Sequence, residues 1–71
     1  MAIELGKKLR IIRKDRCISQ KELAEGLKVS QSVVSQWESG EVMPTVENLY
    51  GICKILKCSS DLLLGLDGEE N

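Results

Sequence analysis

The sequence predicts an all-α fold in which five short helices form one compact domain without strands. Apolar residues recur at spacings of three and four in five separate stretches, which is the periodicity of helices with one buried face. The chain has 71 residues, enough for one domain. Its apolar residues are mostly Leu, Ile and Val, with one Trp and one Tyr, and this composition suits a bundle of short helices.

The first helix is predicted from about Ile3 to Asp15. Leu5, Leu9 and Ile12 lie at positions i, i+4 and i+7 and form its buried stripe. The cations of this helix lie on its other faces, where they are either solvated or, for Arg10, close to a phosphate: Lys7, Lys8, Arg10 and Lys14.

Residues 19–40, SQKELAEGLKVSQSVVSQWESG, predict two helices joined by a tight turn. Ser19 and Glu22 have the spacing of a capping box, which starts the second helix. Ile18 precedes this cap and can pack against Leu23. The residues predicted to share the buried face of the second helix are Leu23, Ala24 and Leu27.

The third helix is predicted to begin after Ser30, which can cap it, and to end at Gly40, which can adopt the left-handed conformation of a helix end. Val34 and Trp37 face inward. The outward face carries short, uncharged side chains where an ordinary solvated helix has Lys and Glu: Gln31, Ser32, Ser35 and Gln36.

A fourth helix is predicted after Pro44, with Thr45 as its cap and a buried stripe of Leu49, Ile52, Cys53 and Leu56. Ser59 is predicted to cap a short fifth helix, Asp61–Leu64, which Gly65 ends. The domain is assigned to residues 1–65, and residues 66–71 are predicted to be a disordered acidic tail. The predicted core comprises Leu9, Ile12, Leu23, Ala24, Leu27, Val34, Trp37, Leu49, Ile52, Leu56, Leu63 and Leu64.

The charges are distributed unevenly along the chain, although their sum is only −1. Residues 1–37 carry eight Lys and Arg against four Asp and Glu, whereas residues 38–71 carry two against seven. Charge attraction in solution acts within about 10 Å. The basic first half, which holds the two-helix segment, can therefore attract phosphates despite the acidic total.

Several classes of function find no support in the sequence. The chain has no His, no glycine-rich phosphate loop and no carboxylate pair in a predicted cleft, so an enzyme is not expected. Its three Cys are an odd number without zinc-ligand spacing, and we expect reduced thiols and no metal. We see no signal peptide, no membrane span and no sign of a cofactor or small-molecule ligand. A cytoplasmic protein is therefore expected.

Residues 19–40 resemble the helix-turn-helix family of the phage Cro and C1 repressors, also called XRE-like or lambda-repressor-like. LGKKLRIIRKDRCIS (residues 5–19) is similar to the first helix of this family, and CSSDLLLG (residues 58–65) to its last. The resemblance extends over residues 5–65 without a gap, and SQWESG followed by a Pro is its most specific part. It implies the five-helix lambda-repressor-like fold, with the helix-turn-helix formed by the second and third helices, in a bacterial or phage-encoded protein.

The resemblance also implies a function: sequence-specific binding of double-stranded DNA by a transcriptional regulator, most simply a repressor. The recognition helix, about Gln31–Ser39, would enter the major groove. Gln can pair with an adenine edge and Ser is adaptable, so the expected base contacts are Gln31, Ser32, Ser35 and Gln36. The expected contacts to the DNA backbone are Gln20, Arg10 and Ser30. Val33 has two possible roles, contact with a thymine methyl group or partial burial in the core.

A structural pair and a dimer interface complete the expectations. The resemblance pairs Arg13 with Glu38, which would brace the first helix against the third. A single small domain needs a second copy to read a palindromic operator, so a homodimer is expected, with Leu62 and Leu66 as its interface. The loop after Gly40, Glu41-Val42-Met43, lacks the cations common in the family. The alternative function is therefore a protein-interaction module of the same fold, antitoxin-like or adaptor-like, with no DNA role.

Overall fold

The computed structural model describes residues 5–59 and Leu63, and this part of the chain is helical without strands. Its helices in order are α1 (Leu5–Asp15), α2 (Gln20–Leu27), α3 (Gln31–Ser39) and α4 (Val46–Leu56). The predicted all-α class is confirmed, but the described residues contain four helices rather than five. The predicted fifth helix, Asp61–Leu64, lies outside them apart from Leu63, which is helical and buried. The predicted tail, residues 66–71, also lies outside.

Three of the helices begin at hydroxyl caps that the sequence predicts. Ser19 forms both hydrogen bonds of a capping box: its Oγ accepts from the Glu22 amide at 3.0 Å, and its amide donates to the Glu22 carboxylate at 2.8 Å. The Ser30 and Thr45 hydroxyls accept from the amide three residues further on. These bonds satisfy amides that a helix start otherwise leaves without partners, and therefore fix where α2, α3 and α4 begin.

The helices end in left-handed residues, only one of which is glycine. Gly40 follows α3 with φ 89°, whereas Lys28 and Lys57 follow α2 and α4 with φ 62° and 56°. Cys17, in the turn after α1, has φ 60°. A residue with a Cβ is strained in this region. At Cys17, Lys28 and Lys57 the backbone is thus held by packing of the flanking elements, whereas Gly40 adopts this conformation without strain.

Ten apolar residues form one buried core that draws on all four helices. Two corrections to the predicted core follow from their exposure. Leu27 and Leu49 are only partly buried and pack against the core. Leu27 is the last residue of α2 and Leu49 lies in the first turn of α4, and the end of a helix has fewer neighbours to cover it. Leu64 lies outside the described residues. The core comprises Leu5, Leu9, Ile12, Leu23, Ala24, Val34, Trp37, Ile52, Leu56 and Leu63.

The position of α3 depends on a close contact with α1. A Cβ atom on the buried Gly6 would lie 2.4 Å from the carbonyl oxygen of Trp37 and 2.6 Å from that of Glu38. Only a residue without a side chain allows this approach. On the other side of the core, Gly26 of α2 and Gly51 of α4 each face a side chain of the opposite helix. The core and the Gly6 contact together fix α3 against α1 with its polar face outward.

Candidate nucleic-acid interface

The four polar residues predicted on the outer face of α3 are all exposed, and they lie opposite the buried Val34 and Trp37. None of the four is charged, so this face offers hydrogen-bond donors and acceptors without a fixed charge. Within the described residues it is the longest run of exposed uncharged polar side chains on one helix face. The four residues are Gln31, Ser32, Ser35 and Gln36.

Val33 is half-buried and packs against the core. Of its two roles considered from the sequence, partial burial is therefore the one that the structure shows. The remaining exposed part of its side chain lies beside the polar residues on α3, so burial does not remove Val33 from this surface.

Arg13 and Glu38 are brought together in a pair that joins α1 to α3. The Arg13 Nε donates to Glu38 Oε2 at 2.6 Å, and one terminal nitrogen of Arg13 donates to Glu38 Oε1 at 3.2 Å. The other terminal nitrogen donates to the Ile18 carbonyl at 2.8 Å. The two side chains are only 8% and 5% exposed. The pair is a bidentate, buried contact, and either charge would lie uncompensated without the other.

Glu38 also accepts a hydrogen bond from Gln20, and Gln20 connects the Arg13–Glu38 pair to the outer face of α3. The Gln20 Nε2 donates to Glu38 Oε1 at 2.9 Å, and the Gln31 Nε2 lies 3.5 Å from Gln20 Oε1. Because a carboxylate only accepts hydrogen bonds, the amide nitrogen of Gln20 must face Glu38, and its oxygen therefore faces Gln31. This chain of contacts orients two candidate DNA-binding residues from one buried carboxylate. Sequence reasoning missed it, since it predicted Glu38 only as the partner of Arg13.

An open cleft of about 420 Å³ lies beside α3 and is bounded by α1 and by the start of α2. Arg13 and Glu38 contribute to the lining of this cleft and are buried, whereas the cations Arg10 and Lys14 are exposed. The remaining lining residues are Gln20, Ser35 and Ser39. The cleft therefore joins two cations to the polar face of α3, which is the arrangement that binding of a nucleic-acid backbone requires.

The residues predicted to contact the DNA backbone differ in their surroundings. Arg10 is exposed at the cleft, and Gln20 is half-buried with its amide bound to Glu38. The Ser30 hydroxyl accepts a hydrogen bond from the Val33 amide, so part of its capacity serves the helix cap. Leu62 and Leu66, predicted at the dimer interface, lie outside the described residues.

One further contact was not predicted. Arg16 donates from Nε to the Leu56 carbonyl at 2.8 Å and so joins the end of α1 to the end of α4. Cys53 and Cys58 are half-buried against the core, and burial, with an additional effect of Cys58, raises the pKa of the Cys53 thiol. Within the described residues, no three His, Cys, Asp or Glu side chains are grouped as a metal site requires.

A model of the family described as helix-turn-helix matches residues 9–63. The chain belongs to this Cro/C1-type helix-turn-helix family. The resemblance stated from the sequence is therefore confirmed. Among the helices that the structure describes, none has the length and apolar character needed to cross a membrane.

The curated relatives are longer proteins. The HTH-type transcriptional regulator DicA of Escherichia coli (strain K12) is 40% identical over 62 residues, which cover 87% of this chain and 46% of DicA. The HTH-type transcriptional activator BcrR of Enterococcus faecalis is 40% identical over 68 residues, which cover 96% of this chain and 32% of BcrR. The chain thus spans less than half the length of either relative.

A solved structure of a relative contains DNA. The c2 repressor of phage P22, in complex with a synthetic operator, superposes with a TM-score of 0.82 at 39% identity. The superposition covers 94% of this chain and 100% of that one. The helical arrangement described above is therefore the lambda-repressor-like fold, and it is one that has been solved with an operator bound.

Proposed function

We propose that this chain binds double-stranded DNA at specific sequences and regulates transcription, with α3 in the major groove. The observation that carries the proposal is the exposed polar face of α3, held next to a cleft with two exposed cations. An α-helix fits the major groove, and a Gln side chain there can form two hydrogen bonds with adenine. The P22 c2 repressor, which shares this fold and has been solved in complex with a synthetic operator, supports DNA binding by the fold.

The residues of the site divide by the kind of contact they make. We propose that the exposed face of α3 reads bases through Gln31, Ser32, Ser35 and Gln36. We propose that Arg10, Gln20 and Ser30 contact the DNA backbone, with Gln20 using the amide hydrogen that Glu38 does not occupy. Backbone contacts position a protein on the duplex and base contacts select the sequence. The Arg13–Glu38 pair supports both groups, because it holds α1 and α3 in fixed positions.

The biological setting follows from the proposed DNA binding and from the relatives. A repressor is our first choice, since the P22 relative is one, although BcrR is an activator. We propose a homodimer on a palindromic operator in the bacterial cytoplasm, with Leu62 and Leu66 as one candidate interface. A fifth helix over Asp61–Leu64 belongs to the same proposal, and the helical state of Leu63 supports it.

Selection of bound duplexes from a random pool, followed by binding measurements with variants, tests this function. Gln31→Ala is expected to cost ~1–3 kcal/mol on the selected operator and much less on random duplex, because it removes a base contact. Arg10→Ala is expected to weaken binding to both duplexes by the same factor and to reduce the salt dependence by about one phosphate contact.

Two results would contradict the proposal. If Gln31→Ala weakened binding to operator and random duplex by the same factor, Gln31 would not read bases. If the wild type bound no duplex even at low salt, the alternative function would apply, in which the fold binds protein only. The exposed Val42 and Met43 beside the acidic Glu41 favour that alternative, since this loop lacks the cations that contact phosphates.

A further inference from the structure

Exposed apolar residues are concentrated in one segment of the described chain. Among the described residues five large apolar side chains are exposed, and four of these five lie in the nine residues from Val42 to Tyr50. Val46 is 83% exposed and Tyr50 is 66% exposed, whereas the fifth residue, Ile11, stands alone on α1 at 60%. Single exposed apolar residues are ordinary, but a group of neighbours marks an interaction surface.

The geometry of α4 places two of these apolar residues on one face together with charges of both signs. Successive residues of an α-helix are rotated by about 100°. By this rotation a single arc of about 100°, opposite the buried Ile52 and Leu56, contains four residues of α4 that are all exposed. We call this arc the outer face of α4, and it consists of Val46, Glu47, Tyr50 and Lys54.

The charges on the outer face of α4 are arranged symmetrically. Glu47 lies in the first turn and Lys54 in the last turn, and their midpoint falls between Tyr50 and Gly51. A two-fold axis through this midpoint, perpendicular to the helix, therefore places Glu47 of each copy opposite Lys54 of the other. The Lys54 ammonium already lies along this face, 5.3 Å from the centre of the Tyr50 ring. Such self-complementarity is what a two-fold interface requires.

We propose that a second copy of this chain docks antiparallel on the outer face of α4. Tyr50 of the two copies lies at the axis, Val46 covers apolar surface beside it, and two Glu47–Lys54 pairs close the ends. The proposal rests on the proposed function in one respect, the expectation of a two-fold dimer. It leaves α3 free for DNA, because no residue of the outer face of α4 lines the cleft or belongs to α3.

The size of this surface sets the strength of the dimer. The eleven residues of α4 span only about 16 Å, so the contact is smaller than a standard stable interface. The dimer is accordingly expected to dissociate readily in free solution and to be completed when two copies bind adjacent half-sites. Self-association must therefore be measured at high protein concentration, up to about 1 mM, by sedimentation equilibrium.

Charge reversal gives a test that needs no DNA. Glu47→Lys turns both cross-subunit pairs into Lys–Lys pairs, and Lys54→Glu turns both into Glu–Glu pairs. Each variant is expected to weaken self-association by about tenfold, since two attractive pairs become repulsive. The double variant re-forms both pairs with reversed sign and is expected to return to within about threefold of the wild type.

A matched pair of apolar variants tests the centre of the surface. Tyr50→Glu is expected to abolish self-association, while Ile11→Glu, at a similarly exposed position on α1, is expected to leave it unchanged. The helical circular dichroism of every variant checks that it folds. A wild type that stays monomeric at about 1 mM overturns the proposal. So does a double charge variant that fails to recover, or self-association lost in Leu62→Glu and kept in Tyr50→Glu.

Binding to a duplex with a single half-site separates this proposal from the proposed function. The α4 variants are expected to bind such a duplex as the wild type does, because one copy suffices there. If no variant and no wild type binds the half-site, the proposed function fails while the sedimentation result still stands. If the half-site is bound but charge reversal has no effect on self-association, only the α4 interface is wrong.

Discussion

Substituting Gly6 by Ala tests how closely α3 is seated on α1. The added Cβ would lie 2.4 Å and 2.6 Å from two carbonyl oxygens and 2.9 Å from the carbonyl carbon of Glu38. All three atoms belong to the backbone of α3, which cannot rotate away as a side chain can. Either the end of α3 or the start of α1 must move by nearly 1 Å to restore ordinary van der Waals contact.

The magnitude follows from two opposing effects. Overpacking of a well-packed site costs about 1–3 kcal/mol, and contact with two rigid carbonyl groups puts this site near the upper end. Ala in place of Gly within a helix gains about 1 kcal/mol. The net loss in the free energy of unfolding is therefore about 2 kcal/mol. Since a domain of this size has a total of roughly 4–10 kcal/mol, the change is large.

Gly26→Ala is the matched control. Its Cβ would meet only the end of the Ile55 side chain, with Cδ1 at 2.8 Å, and Ile55 can change rotamer. This variant is expected to be as stable as the wild type or up to about 1 kcal/mol more stable. Urea unfolding followed by circular dichroism measures both variants. The close seating of α3 would be refuted if Gly6→Ala lost no more stability than Gly26→Ala.

Two further predictions concern buried polar groups. Glu38→Ala is expected to destabilise the protein by about 3–5 kcal/mol, because it leaves the Arg13 charge buried without its partner. In urea unfolding, the double variant Arg13→Ala/Glu38→Ala should lose less free energy of unfolding than the two single variants lose together. Losses that add strictly would contradict the pairing. Burial raises the pKa of the Cys53 thiol, so less thiolate is present at neutral pH. Mass spectrometry should therefore show slower alkylation of Cys53 than of the exposed Cys17, with the Cys53 rate still rising at alkaline pH; equal rates at neutral pH would contradict this.

The starts of the helices could be predicted because their signals are local. Ser19 with Glu22, Ser30 and Thr45 each satisfy amides within three residues, and such contacts depend only on the neighbouring sequence. The inward residues of α1 and α3 could likewise be predicted, from the spacing of the apolar residues along each helix. The polar outer face of α3 was found because its composition departs from that of a solvated helix, and this departure also needs no tertiary information.

The remaining features depend on distances between elements that are far apart in sequence. Gly6 stands out in the sequence only as a glycine inside a helical pattern, and its role requires the separation of α1 from α3. The contact of Arg16 with the Leu56 carbonyl spans forty residues. The left-handed conformation of Lys28 and Lys57 could not be predicted, because neither residue is a glycine and packing rather than intrinsic preference holds the backbone there.

Glu38 shows why stability and DNA recognition are coupled in this protein. Its carboxylate accepts hydrogen bonds from Arg13 on α1 and from Gln20 on α2, while its own backbone rests on Gly6. Gln20 in turn lies next to Gln31 on the outer face of α3. A change that moves the end of α3 must therefore alter both the buried pair and the orientation of Gln31. Gly6→Ala should for this reason weaken operator binding as well as folding, although Gly6 itself is buried.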